Sequence, residues 1–142
     1  MRAPSTNRTL DEWIAYYNRR MPRGFKRDLA YALFYYPSKG FCELAATDKM
    51  VLVGQVSGDG RFWRDFAENW ARELGLKVGG TICGRKEARA YMRLFGYKVT
   101  GEEEKGGFKR YRAVNKKGGW YLMTECELAN GDRAYWVTWE VK

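Results

Sequence analysis

The stretch Gln55-Val56-Ser57-Gly58-Asp59-Gly60 sets two glycines between a β-rich run, Met50 to Val56, and a helical pattern that continues to Gly75. A helix that starts at such a turn aims its free backbone N–H groups and the positive end of its dipole into the loop, which suits a bound anion such as phosphate. Glycine serves there because a Cβ blocks close approach or demands an unfavourable φ. A second candidate surface is Arg85, Arg89 and Arg93, which repeat every four residues along one helical face and could track phosphates. The later aromatics Tyr111, Trp120, Tyr121, Tyr135, Trp136 and Trp139 could stack bases, although core packing explains most such rings equally well. With no histidine, and with Cys42, Cys83 and Cys126 widely spaced, ordinary Cys/His zinc sites, histidine acid–base chemistry and Ser-His or Cys-His triads are excluded. Three buried, reduced thiols are expected instead.

A net charge of +9 points to an anionic ligand or partner. The excess is concentrated early, where residues 1 to 40 carry eight Lys/Arg against three acids. A second basic cluster, Lys105, Lys109, Arg110, Arg112, Lys116 and Lys117, follows the acidic run Glu102-Glu103-Glu104 and reads as a solvated loop or hairpin face. At 142 residues and 45% hydrophobic content the chain is long and apolar enough for one domain with a core. No apolar run approaches a membrane span, and Met1 to Arg8 lacks the apolar core of a signal peptide, so a cytoplasmic protein without membrane partners is expected.

The elements that must position these groups follow from periodicity. Thr9-Leu10-Asp11-Glu12 has the form of a capping box and opens a helix over about Leu10 to Arg20, with Leu10, Trp13, Ile14 and Tyr17 as its apolar stripe. Leu29, Ala30, Leu33 and Phe34 predict a second helix over about Lys26 to Tyr36, stopped by Pro37, with a strand as the alternative for Ala32 to Tyr36. Phe41 to Ala46 and Met50 to Val56 form a hairpin around Thr47-Asp48-Lys49. A helix over about Arg61 to Leu74, ended by Gly75, presents an unusually aromatic face. A strand over Lys77 to Cys83 is weakened by Gly79 and Gly80, and a further helix runs from Arg85 to Phe95. Beyond Gly101 the reading is all β, with Phe108 to Val114, Trp120 to Glu127 and Arg133 to Val141, and with Asn130-Gly131 predicting a type I′ turn.

The order strand, Q-x-x-G-x-G, helix, strand, helix resembles the GNAT acyltransferases, whose acetyl-CoA signature Q/R-x-x-G-x-G/A opens a central helix. Gln55, Gly58 and Gly60 occupy the three signature positions, and Trp70-Ala71 and Gly75 match the family's Trp-Ala pair and helix-ending glycine. Arg85 to Tyr97 is similar to the family's N-x-x-A-x-x-L-Y-x-x-x-G-F element, with a Cys-Gly-Arg run in place of the usual asparagine. The resemblance covers residues 50 to 99, and the chain looks most like the short, divergent GNAT-like proteins of bacteriophages and prophages.

The resemblance implies an α+β fold: a mixed, mainly antiparallel sheet flanked by about four helices, with a C-terminal β-meander. It divides one domain into a helical part (1–40), a CoA-binding core (41–99) and a hairpin or meander (100–142). It implies transfer of an acetyl group from acetyl-CoA to an amine in a cleft between splayed strands. Gln55, Val56, Gly58, Asp59, Gly60 and Arg61 would contribute to the pyrophosphate site, with Arg61 and Arg64 adding charge over the helix's first turn. The family's proton-donating tyrosine aligns with Met92, so Tyr91, one position earlier, is the candidate donor. No carboxylate lies between Met50 and Val56, which leaves Glu43, Asp48 or a water chain to take the amine's proton. The alternative is an inactive basic protein on the same scaffold that binds nucleic acid, through Arg85, Arg89 and Arg93, or a host protein.

Overall fold

The computed structural model describes residues 7–142. The expectation that Met1 to Arg8 lacks the apolar core of a signal peptide falls, for residues 1–6, outside them. Among the described residues eight strands form one sheet in the order β1-β2-β3-β4-β8-β7-β6-β5, and three helices pack on it. α1 (Leu10–Arg20) begins at Thr9, whose side chain accepts from Glu12 N while the Glu12 carboxylate accepts from Thr9 N. Its buried Trp13 and Tyr17 pack on Phe41 of β2 (Gly40–Ala46). On the other face of β2, Cys42 and Leu44 join the main core beneath α2 (Gly60–Glu73).

The expectation of about four helices is corrected by the segment 26–36. Residues 26–31 form no helix, and Ala32–Tyr36 is β1, paired antiparallel with β2. Leu33 and Phe34, read as one helical face, go to opposite sides of the sheet: Leu33 joins the α1 cluster, and Phe34 packs on Phe66 and Trp70 of α2. Asp28 competes with helix formation locally, since its side chain accepts from Ala30 N. Leu29, counted in the apolar stripe, is 88% exposed.

β3 (Val51–Gly58) completes the first hairpin, and α2 then crosses over to β4 (Val78–Cys83). Among the described residues β3–β4 is the single parallel pairing. Gly79 and Gly80, which weaken β4 as a sequence, have a structural use: a Cβ on Gly79 would lie 2.3 Å from the Trp139 ring, and one on Gly80 2.8 Å from Trp136. Each glycine seats an indole, one on either face of the sheet. α3 (Arg85–Leu94) follows, and both later helices end alike. Gly75 and Gly96 each have φ +73, and Leu76 N and Tyr97 N donate back to Ala71 O and Met92 O.

The meander has four strands, β5 (Lys98–Lys105), β6 (Phe108–Val114), β7 (Trp120–Glu127) and β8 (Arg133–Glu140). The acidic run and the basic cluster face each other across β5 and β6, with Glu103 pairing to Arg110 and Arg112 and Glu102 to Lys109. The type I′ expectation at Asn130-Gly131 is corrected, because only Gly131 has positive φ. Gly131 N donates to Leu128 O and Leu128 N to Asp132 O, the bonding of a type I turn with a glycine bulge.

Candidate functional site

β3 and β4 pair over three positions only, Val51 with Gly79, Leu52 with Gly80 and Val53 with Thr81. At the last of these, Thr81 Oγ1 donates to Val53 O at 2.8 Å. Past that point β3 stays paired with β2 as far as Gly58, and β4 with β8 as far as Cys83, but not with each other. The divergence coincides with a β-bulge. Cys42 faces Val56 and Leu44 faces Val53, so Gly54 and Gln55 together oppose the single residue Glu43. A bulge of this kind bends and twists its strand. A Cβ on Gly54 would approach Glu43 and Tyr31 within 3.1–3.2 Å, so those side chains would have to give by a few tenths of an ångström.

The parted strands wall a cleft of about 570 Å³, open mouth included. Val53 and Val56 of β3, Trp63 and Arg64 of α2, Tyr91 of α3, Phe95 just past its end, and Tyr121, Val137 and Trp139 of the meander line it. Its walls are largely apolar. Tyr91 is on this wall, whereas Met92 is buried in the core. Burial pushes the Tyr91 phenol up to about 12, with Cys83, Glu87 and Tyr17 acting in the same direction and Arg20 against it. Burial likewise raises Tyr121, whose hydroxyl donates to Ala88 O at 2.8 Å.

Glu43 is 1% exposed and fully engaged. Oε2 accepts from Arg27 Nη1 at 2.8 Å and Asp28 N at 3.2 Å; Oε1 accepts from Gln55 N at 3.2 Å and Gln55 Nε2 at 2.8 Å. Two donors on each oxygen hold the bulge against the 26–31 segment and leave little capacity to take a proton from a substrate amine. Gln55 adds two bonds to the Lys26 backbone, so its side chain is an anchor for that segment. Asp48 is exposed in the β2–β3 turn, at the opposite end of β3 from Gly58.

At the start of α2, Asp59 is the N-cap: its side chain accepts from Phe62 N at 3.1 Å and pairs with Lys39 at 3.3 Å. Asp59 N donates to Lys39 O. Among the described residues the amides of Gly60 and Arg61 have no protein acceptor. Gly58 is required by the backbone, with φ +104 and a virtual Cβ 2.1 Å from Lys39 O. Gly60 has no such requirement, and a Cβ there meets nothing within 4 Å. Arg61 is exposed, whereas Arg64 turns inward over Phe95 at 4.0 Å, bonds the Tyr97 hydroxyl and lies 3.6 Å from Glu68. The bulge, Gly60, Arg64 and Tyr91 thus meet at one cleft.

Arg85, Arg89 and Arg93 do not join them. All three are exposed and enter no ion pair among the described residues. Arg85 and Arg89 act electrostatically on Tyr135 of β8, a different neighbourhood from the Tyr91 wall. The aromatic set also divides. Tyr121 and Trp139 line the cleft, while Trp136 lies over Gly80 on the opposite face of the sheet. Cys42, Cys83 and Cys126 are free, and burial pushes the Cys83 thiol up to about 12, which makes it a poor nucleophile. Among the described residues there is no metal-binding group of His, Cys, Asp and Glu and no helix long and apolar enough to cross a membrane.

Sequence reasoning missed Arg27 as the partner of Glu43, and Trp63, Tyr121 and Trp139 as cleft walls. Gly54 was the available signal for the bulge, because an isolated strand glycine often marks one. Compared with family models, curated proteins and solved structures, the chain matches none.

Proposed function

We propose that the protein is an N-acyltransferase of the GNAT-like kind, using acetyl-CoA and transferring its acyl group to an amine in the cleft between β3 and β4. The observation that carries this reading is the parting of the one described parallel strand pair beside the start of α2, with Tyr91 on the wall so formed. Acetyl-CoA fits three features: the uncommitted amides of Gly60 and Arg61, the open space over Gly60, and the exposed Arg61 charge. The Asp59 carboxylate opposes a pyrophosphate there, and its pairing with Lys39 tempers that repulsion.

Acetyl-CoA supplies an activated thioester carbonyl. The apolar walls exclude water from it, and the unpaired edge of β3 beyond Val53 orients the ligand. Tyr91, held protonated at neutral pH, would give its phenolic proton to the departing sulfur and regain one from water at the mouth. The amine's proton leaves through water at the mouth, since Glu43 is saturated. The test is thermal unfolding with CoA and acetyl-CoA. At tenfold excess over the dissociation constant, binding to the native state adds about 1.4 kcal/mol, a rise of roughly 3–5 °C. No shift at millimolar ligand would sink the reading.

The saturation of Glu43 favours a second reading, a basic binding protein on the same scaffold without catalysis. CoA binding with no amine acylated under any acceptor supplied would select it.

A further inference from the structure

We propose that the exposed side of α1 is a nucleic-acid docking surface, built from Arg8, Arg19 and Arg20 gathered around the Tyr16 ring. The guanidinium carbons of the three lie 5.1, 5.8 and 5.3 Å from that ring's centroid. Arg8 also covers Trp13 at 4.7 Å, and Arg20 Nη1 approaches the Tyr16 hydroxyl at 3.4 Å. Like charges gathered this closely repel, yet among the described residues none of the three forms an ion pair. Glu12, the acid whose carboxyl feels Arg8, is committed to the capping box. The protein thus supplies the ring but little counter-charge. A phosphate backbone supplies the missing charge, and the bases of the strand supply faces for the half-buried Tyr16 ring and the guanidinium planes.

The helix that carries this surface packs on the sheet face opposite α2. Arg8 N donates to Pro37 O in the β1–β2 turn, and Ser57 Oγ donates to Trp13 O, which ties α1 to the end of β3 where α2 begins. On the acyltransfer reading, on which this step rests, the acceptor amine is therefore one carried by a nucleic acid lying along α1. The arginine stripe of α3 does not share this surface, since Arg85 and Arg89 act on Tyr135.

The test is fluorescence anisotropy with a labelled 20-nucleotide single-stranded RNA, and with the DNA of the same sequence, at 50 and 200 mM salt. Three phosphate contacts give a logarithmic salt slope near −2, a loss of roughly 20-fold over that range. The expected result is that Arg19→Ala/Arg20→Ala weakens binding at least about tenfold at 50 mM salt and flattens the slope by roughly 1.4. Both residues are exposed, and an unchanged CoA-induced thermal shift in this variant verifies the fold. The proposal is overturned if the intact chain binds neither strand, or if the variant binds as well as the intact chain while Arg85→Ala/Arg89→Ala/Arg93→Ala does not. Loss of the CoA shift in the folded α1 variant also overturns it, by assigning the cluster to the cofactor. Strand binding that depends on Arg19 and Arg20, in a chain that shows no CoA shift, keeps the docking surface and discards acyltransfer.

Discussion

β4 has two neighbours and treats them differently. With β8 it pairs over six positions in register, from Val78 opposite Glu140 to Cys83 opposite Tyr135. With β3 it pairs over three and then separates. The β8 side belongs to a meander whose strands join their neighbours in sequence. The β3 side belongs to a hairpin carrying a bulge, a saturated buried carboxylate and two facing glycines of positive φ, Gly40 and Gly58. The meander, whose own register shift lies between Val99 and Gly101 in the far pair β5–β6, supplies one wall, Tyr121, Val137 and Trp139, and the hairpin half supplies the opening. Irregularity costs stability where it occurs, so it is informative when the surrounding structure enforces it.

The largest effect expected from breaking this contrast is at Gly40. A Cβ there would lie 1.8 Å from Ser57 O at φ +105, so Gly40→Ala should cost more than about 3 kcal/mol. In the meander, Gly101→Ala meets nothing within 4 Å and should stay within about 1 kcal/mol. Urea midpoints of the two variants measure the difference, and equal losses would abolish the contrast. Next is Glu43→Ala, which orphans donors on Gln55, Asp28 and Arg27 and should cost about 3 kcal/mol in the same assay. An unaffected midpoint there would mean the bulge does not depend on this carboxylate.

Smaller in stability but sharper for function is Gly60→Ala. Replacing glycine in the first turn of α2 should leave stability unchanged or raise it by up to about 1 kcal/mol. The CoA-induced thermal shift should shrink, because the methyl enters the space assigned to phosphate. A larger shift would remove Gly60 from the site. Tyr91 predicts a pH dependence. Its folded-state value, about 12, exceeds the ordinary 10.0, so the native state retains the proton longer than the unfolded chain. The resulting stability is intact below pH 10 and is lost as pH rises through 12. Tyr91→Phe should therefore flatten the fall of the urea midpoint between pH 10 and 12. A slope unchanged by the substitution would contradict the buried phenol. The smallest effect is expected at Glu103→Ala, whose partners Arg110 and Arg112 are exposed; it should cost under about 1 kcal/mol and vanish in high salt.

Much of the architecture was legible where local rules and tertiary packing agree. Thr9 and Glu12 marked the start of α1, Gly75 and Gly96 the ends of two helices, and the later hydrophobic runs three of the four meander strands. The misreadings fell where one pattern serves two periods. Leu29, Ala30, Leu33 and Phe34 satisfy a helical spacing, yet β1 forms because Leu33 and Phe34 find separate cores on the two faces of the sheet. Asn130-Gly131 marked a turn, while its type followed from Asn130 keeping negative φ. Part of the candidate site was legible in the glycine turn and in Tyr91. The role of Glu43 was not, because its four donors come from residues 27, 28 and 55.

By itself the sequence determined the helix starts and stops, the excess of positive charge and the absence of histidine chemistry, because each depends on residue type and near neighbours alone. Tertiary structure decided the rest. The fork between β3 and β4 needs a bulge registered against a particular residue of β2, and the cleft needs walls from α2, α3 and the meander together. Which arginines gather around a ring and which stand apart was decided in the same way. Arg8 and Arg20 are twelve positions apart in sequence and meet at Tyr16 because that ring lies between them on α1 and both long side chains reach it.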